Sequence, residues 1–267
     1  MGLFGRREAE SDEMPFFEHL DALRPRLLRS AGVLLLLVCV AFACKDWLMM
    51  VIMGPEMPDF PTNRFFAWLA DRMSSETLHI NAQPLMLINT SMAGQFNLHL
   101  SLSFYTALIV AVPYVFWELW GFVKPALTEK ELRICRRMVF YVTICFFAGV
   151  AFGYFLIAPL SVNFLSGYIV SSQIANMIDM GSYVSLVLNL SLVSGIIFLL
   201  PVVVSMLSRG GILSSSFMKR YRRHALILLS CMAAIITPPD VASMVLVLLP
   251  LYGLYELSIC IAKKHNA

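Results

Sequence analysis

Leu27–Cys44 reads LLRSAGVLLLLVCVAFAC, an apolar run with one charge, Arg29, closed by Lys45-Asp46. About 20 mostly apolar residues cross a hydrocarbon core of ~30 Å, so the run reads as a membrane span. The same signal recurs along the chain at about His99–Trp120, Met138–Leu160, Tyr183–Leu207, His224–Ile236 and Val241–Ala262. The fold expected is therefore all-α. It is one polytopic membrane domain over residues 1–267 with six transmembrane helices, and residues 1–29 form an N-terminal segment outside the bilayer.

Composition agrees. Of the 267 residues 59% are hydrophobic and 14% charged, against roughly 45–50% and about 25% in soluble domains. Mean hydropathy is +0.76. A soluble fold of this length could not hide so much apolar surface, which excludes large soluble enzymes and nucleic-acid-binding domains. The net charge of +3 is too small to argue for a polyanionic partner. Cys39, Cys44, Cys145, Cys231 and Cys260 lie in or beside apolar runs and Cys135 in a basic segment, with no CxxC pair, so no disulfide framework is expected.

Basic residues set the orientation. Arg6, Arg7, Arg24, Arg26 and Arg29 precede or open the first span. Lys124, Lys130, Arg133, Arg136 and Arg137 follow the second, and Arg209, Lys219, Arg220, Arg222 and Arg223 follow the fourth. Lys263 and Lys264 close the chain, leaving only Lys45, Arg64 and Arg72 for the other side. The positive-inside rule then places both termini in the cytoplasm. The acidic N-terminal segment and the lack of a small-residue cleavage site argue that the first span is not a removed signal peptide.

Two segments depart from a uniform bundle. The first external loop, about Lys45 to Leu98, is long and carries Pro55, Pro58 and Pro61, so it is expected to have structure or a role. The fifth span is short, pinned between Arg222-Arg223 and Pro238-Pro239-Asp240. Such a helix thins the membrane or is sheltered by neighbours.

No HExxH, GxSxG, Walker A or strand-linked GxGxxG occurs, and the five histidines lack metal-ligand spacing. No enzyme activity, metal or cofactor is expected. Glu118 and Glu256 lie toward the cytoplasmic ends of spans two and six. Each reads either as a functional acid or as an interfacial carboxylate that snorkels or pairs with arginine. Asp240, in the external turn, reads either as a functional acid or as the N-cap of the last helix. Near the midplane stand Asn189 and serines but no clear carboxylate, which counts against a proton pump. Gly149 and Gly153 form a GxxxG that could mark close helix packing. Phe16, Leu20, Leu23 and Leu27 share one face of an amphipathic helix over Pro15–Arg29. A small-solute transporter and a scaffold subunit remain alternatives, though the chain halves show no internal repeat.

The stretch Glu18-His19-Leu20-Asp21-Ala22-Leu23-Arg24-Pro25-Arg26-Leu27 resembles the N-terminal signature of the TatC family, the receptor subunits of twin-arginine protein translocation. Further pieces match in order. They are Pro113 with Trp117–Leu127, Glu129-Lys130-Glu131, Phe152–Phe155 with Pro159, Tyr183–Ser185 with Phe198 and Pro201, and Thr237–Val241 with Pro250, Tyr255 and Glu256. The resemblance implies a concave, glove-like bundle of six helices in the bacterial inner membrane, the last two short. It implies a receptor that binds twin-arginine signal peptides of folded precursors at the cytoplasmic face. It also implies TatA-type and TatB-type single-span partners, several copies of the chain in one complex, and transport driven by the proton-motive force. Glu131, Phe122, Arg24 and Asp21 fall to signal-peptide binding by this resemblance, and Asp240, Pro55, Glu118 and Glu256 to translocation or structure. The family's N-terminal glutamate falls on Ala22, with Asp21 adjacent, and its polar residue of span four falls on Leu199.

Overall fold

A computed structural model describes residues 16–73, 80–81, 85–123, 129–171, 176–209, 213–237 and 241–266. Helix α1 (Phe16–Ala43) runs unbroken for 28 residues with Pro25 inside it, so the amphipathic segment and the first span are one rod. It breaks at Cys44, where α2 (Lys45–Met53) restarts. Helices α4 (Gly94–Val123) and α5 (Glu129–Phe152) are the next two long elements. A π-helical turn at Gly153–Ile157 carries α5 into α6 (Ala158–Gly167).

The fourth span is two helices, α7 (Met180–Ile197) and α8 (Leu200–Arg209). Pro201 lacks an N–H and its ring clashes with the carbonyl one turn back. The chain therefore turns at Phe198-Leu199, where the Leu199 carbonyl takes both Val202 N–H and Val203 N–H at 3.0 Å. A short α9 (Ser215–Arg220), capped by Ser214 Oγ accepting from Phe217 N–H at 3.2 Å, leads to α10 (Arg222–Ile236) and α11 (Val241–Asn266).

Among the described residues five stretches are long and apolar enough to cross a membrane: Leu23–Ala43, Gly94–Phe122, Val139–Gly167, Met180–Ser208 and Met244–Lys263. The remaining expected span, α10, has 15 residues, about 22 Å of helix. Of the two final helices expected to be short, only α10 is. The last, α11, extends for 26 residues because it continues past the apolar run into the Lys263-Lys264 tail.

Lipid is as apolar as leucine, so helices in a bilayer associate through close contact rather than hydrophobic burial. The tightest seam is α5 on α7. A Cβ at Gly149 would stand 2.5 Å from the Ser194 carbonyl oxygen, and one at Gly195 would stand 2.8 Å from the Phe146 ring. The GxxxG of the third span is thus a packing face. Helices α1 and α4 pair antiparallel, with His99 Nε2 3.0 Å from the Phe42 carbonyl oxygen and its ring stacked on Phe42 at 3.8 Å.

The long loop is folded. After α2 come a 3-10 turn at Gly54–Glu56, helix α3 (Pro61–Met73) and strand β1 (Leu87–Ile88), which pairs in parallel with β2 (Ile178–Asp179). Uncharged side chains tie this cap to the bundle. Asn63 Nδ2 donates to the carbonyls of Pro55 at 3.0 Å and Met57 at 2.8 Å. Asn81 Nδ2 donates to Pro55 at 3.2 Å and Pro159 at 3.0 Å, and Asn81 N–H to Asn163 Oδ1 at 3.0 Å. Asn81 holds φ at +47°, a conformation asparagine tolerates better than most residues. From the bundle, Tyr154 O–H donates to the Val51 carbonyl, and Tyr183 O–H to the Ile52 carbonyl at 3.0 Å.

Candidate functional site

Of the expected binding residues, Arg24 and Phe122 have described side chains, and they lie where α1 begins and α4 ends. Arg24 is exposed on α1 and Phe122 half-buried at the end of α4. The seam between these helices is shaped around Arg26. A Cβ at Gly121 would stand 3.1 Å from Arg26 Nη1, so glycine leaves room for the guanidinium. Arg26 Nη1 and Trp120 Nε1 are buried there without a hydrogen-bond partner among the described residues. Both are donors, and a buried donor of this kind suits a carbonyl or carboxylate acceptor.

Glu118 lies one turn before Phe122. It is buried, and its Oε1 accepts from Tyr114 O–H at 3.0 Å. This satisfies a carboxyl that would otherwise be costly at this depth.

Glu131 precedes the expected third span, Met138–Leu160, yet it lies in the first turn of α5, which begins at Glu129. The physical reason is in the sequence: Thr128-Glu129-Lys130-Glu131 has the spacing of a capping box, in which the glutamate reaches back to the helix start. The side chains of Asp21 and Glu131, and all of Asp240, lie outside the described residues.

Glu256 is held on two sides at the same end of the bundle. Arg222 Nη2 lies 2.7 Å from its Oε2, and Tyr252 O–H donates to its Oε1 at 3.0 Å. Tyr255 O–H donates to the Met218 carbonyl at 2.9 Å. This is the arginine-paired alternative, and it stitches α9, α10 and α11 together. Pro55 is buried at the opposite end, where its carbonyl is the shared acceptor of Asn63 and Asn81.

Sequence reasoning missed Glu56. It is buried beside Pro55, 4% exposed, and its Oε2 has no partner among the described residues. Burial pushes its carboxyl above the ordinary range. Hydropathy gives no hint of it, because a Gly-Pro-Glu turn reads as solvated loop. Leu199 is half-buried at the α7–α8 break. Among the described residues no cluster of three or more metal-ligating side chains occurs.

Comparison with known proteins bears on this geometry. Residues 18–250 match the family model of the Sec-independent protein translocase protein TatC. The TatC of Blattabacterium sp. subsp. Periplaneta americana is 35% identical, over 95% of this chain and 96% of its own length. That of Campylobacter jejuni is 30% identical over 93% of each. Among solved structures, the crystal structure of the twin arginine translocase receptor TatC superposes with a TM-score of 0.69 at 26% identity, covering 93% of this chain and 100% of that one.

Proposed function

Since the chain belongs to the TatC family of Sec-independent protein translocase proteins, we propose that it is the receptor core of a twin-arginine translocase. It binds twin-arginine signal peptides of folded precursors at its basic, cytoplasmic end. The observation that carries this reading is the end-to-end likeness to a twin arginine translocase receptor, over 93% of this chain. The family is one of translocase components, so the work is recognition and assembly rather than bond chemistry.

The chemistry of the residues at the basic end agrees with the reading. A twin-arginine peptide presents two guanidinium forks, which carboxylates bind through paired, charge-assisted hydrogen bonds. Glu131 at the start of α5 supplies the principal carboxylate and Asp21 on α1 a partial one, because Ala22 has none. Arg24 and Phe122 line the approach. The unpartnered Arg26 Nη1 and Trp120 Nε1 take carbonyl groups of the extended peptide. Glu118, Glu256, Pro55 and Asp240 keep the helices and turns in place during transport. The complex further contains TatA-type single-span proteins, with or without a TatB-type one, and several copies of this chain in the bacterial inner membrane. The proton-motive force drives it, as the family resemblance implies, and this chain, which has no nucleotide-binding motif, does not itself hydrolyse ATP.

A photo-crosslinking scan tests this. A peptide with a photo-reactive residue beside its arginine pair should label positions around 21–24, 122 and 131, and an Arg-Arg to Lys-Lys peptide should not. Equal labelling by both peptides would overturn the receptor role.

A further inference from the structure

Helix α3 begins at the depth of the bilayer. Thr62 Oγ1 in its first turn donates to the Phe155 carbonyl, and Phe155 lies inside the third apolar run, Val139–Gly167. The preceding Phe60 stacks on Phe155 at 5.4 Å and meets Tyr154 edge-on at 5.4 Å. Phe155 itself is 44% exposed on the side of a membrane helix, hence toward lipid. One face of α3 is committed to the cap, with Asn63 and Ala70 buried. The other carries Phe65 and Trp68, 57% and 55% exposed, stacked on each other at 6.2 Å. Arg72 lies over the Trp68 ring at 5.3 Å, and Arg64 is exposed beside Phe65.

We propose that α3 is an interfacial anchor, its Phe65–Trp68–Arg72 face lying in the headgroup layer of the leaflet at the Pro55 end of the bundle. Three observations converge on lipid as the occupant. The helix starts against Phe155, an exposed residue of an apolar run long enough to cross a membrane, so its aromatic face adjoins surface suited to lipid. Tryptophan with neighbouring arginine is the composition of membrane–water interfaces, where the ring sits among headgroups and the cation meets phosphate. At 13 residues the helix cannot span, but an amphipathic helix of this length can lie in the interface plane. The Asn63 and Asn81 bonds to the Pro55 carbonyl tie the buried face to the cap, so the anchor fixes the level of the cap relative to the bilayer. The proposal needs the chain in a membrane but not its receptor role.

The test uses the full chain in liposomes of phosphatidylethanolamine and phosphatidylglycerol, with Trp47, Trp117 and Trp120 replaced by phenylalanine so that Trp68 alone reports. Its emission should be blue-shifted relative to detergent-free tryptophan. A nitroxide lipid labelled near the headgroup should quench it more than one labelled deep in the acyl chain, and aqueous acrylamide should quench it weakly. Strong acrylamide quenching with none from lipid would place the face in water and overturn the proposal. Shielding from both quenchers would mean that protein covers it and would overturn it equally. If the triple substitution does not fold, a spin label at Phe65→Cys in a chain lacking its native cysteines replaces it. Preferential collision with oxygen over a water-soluble nickel chelate supports the anchor, and the reverse preference removes it.

Discussion

Gly153 lies against Ser191 so closely that a Cβ at position 153 would stand 2.8 Å from the Ser191 Cα, and 2.7 Å from the Leu190 carbonyl oxygen. Both obstacles are backbone, so neither can rotate away. Gly153→Val should force α5 and α7 apart and lower stability by about 1–3 kcal/mol, the usual effect of overpacking. Gly32→Ala is the control, because nothing lies within 4 Å of a Cβ there. It should be neutral or stabilising by up to ~1 kcal/mol through helix propensity. Thermal unfolding in one detergent compares the two, and equal losses would remove the close-packing account.

At Glu131 a capping role and a ligand role must be separated. Glutamine serves a capping box nearly as well as glutamate but carries no charge. Glu131→Gln should therefore keep α5 intact and still weaken twin-arginine peptide binding by roughly 10- to 150-fold, the worth of about 1.5–3 kcal/mol for a charge-assisted contact. Asp21→Ala should weaken it less, and Ala22→Glu should tighten it. Titration calorimetry with the purified chain measures all three. An unchanged affinity in Glu131→Gln would move the site elsewhere.

The Arg222–Glu256 pair joins two helices, but with side chains 45% and 33% exposed its attraction is screened. A double-mutant cycle of Arg222→Ala and Glu256→Gln should give a coupling of about 0.2–1 kcal/mol. Tyr252→Phe should add a loss of its own of about 1 kcal/mol, since it removes the second hydrogen bond. Unfolding midpoints of the four variants decide this, and strict additivity of the pair would show that the contact contributes nothing.

Glu56 sets a pH dependence. Its carboxyl is raised by burial, so the folded chain holds the proton more tightly than the unfolded chain. Its contribution to stability is fully present below the ordinary glutamate range and is lost as pH rises toward the raised folded value. Each tenfold difference in proton affinity is about 1.4 kcal/mol. Glu56→Gln should thus stabilise the cap at neutral pH, and its advantage should vanish on acidification below about pH 4. Hydrogen exchange over residues 51–63 as a function of pH reads it out. A variant less protected than the parent at neutral pH would contradict the assignment.

The orientation has its own check. Single cysteines placed at the exposed positions 57–59 or 168–170 should react with an impermeant thiol reagent added from outside whole cells. Cysteines at 213–220 should react only after permeabilisation. Labelling of 213–220 from outside would invert the topology argued from the basic residues.

The long helices were legible because the bilayer demands length and apolarity, and α1, α4, the α5–α6 rod and α7–α8 all answer it. Gly149 and Gly153 were legible for the same reason: small residues at i and i+4 imply close approach. Other features left no such trace. Hydropathy runs straight through Phe198-Leu199, where Pro201 divides the fourth span. The cap is held by Asn81, Tyr154 and Tyr183, which donate to backbone carbonyls far away in sequence, by Asn163, whose Oδ1 accepts from Asn81 N–H, and by the local bonds of Asn63, and no periodic pattern encodes such pairs. The depth of Glu56 follows from those bonds, so it was invisible until they were known. The helical setting of Glu131 was readable from its capping-box spacing, a signal that a loop assignment passes over.

The bond from Tyr183 to the Ile52 carbonyl joins partners 131 residues apart, and the β1–β2 pairing joins Leu87 to Ile178. Neither can form while the chain is being inserted from its N terminus until the second and third spans are in the bilayer and both loops have been carried across. Contacts of such sequence separation close late, after local helices. The segment between the first two spans can therefore dock only after the one that carries β2 has been made. Biogenesis then ends in a single clasp on the far side of the membrane, and a chain stalled before α7 would expose an unlatched cap to whatever surveys misassembled proteins there.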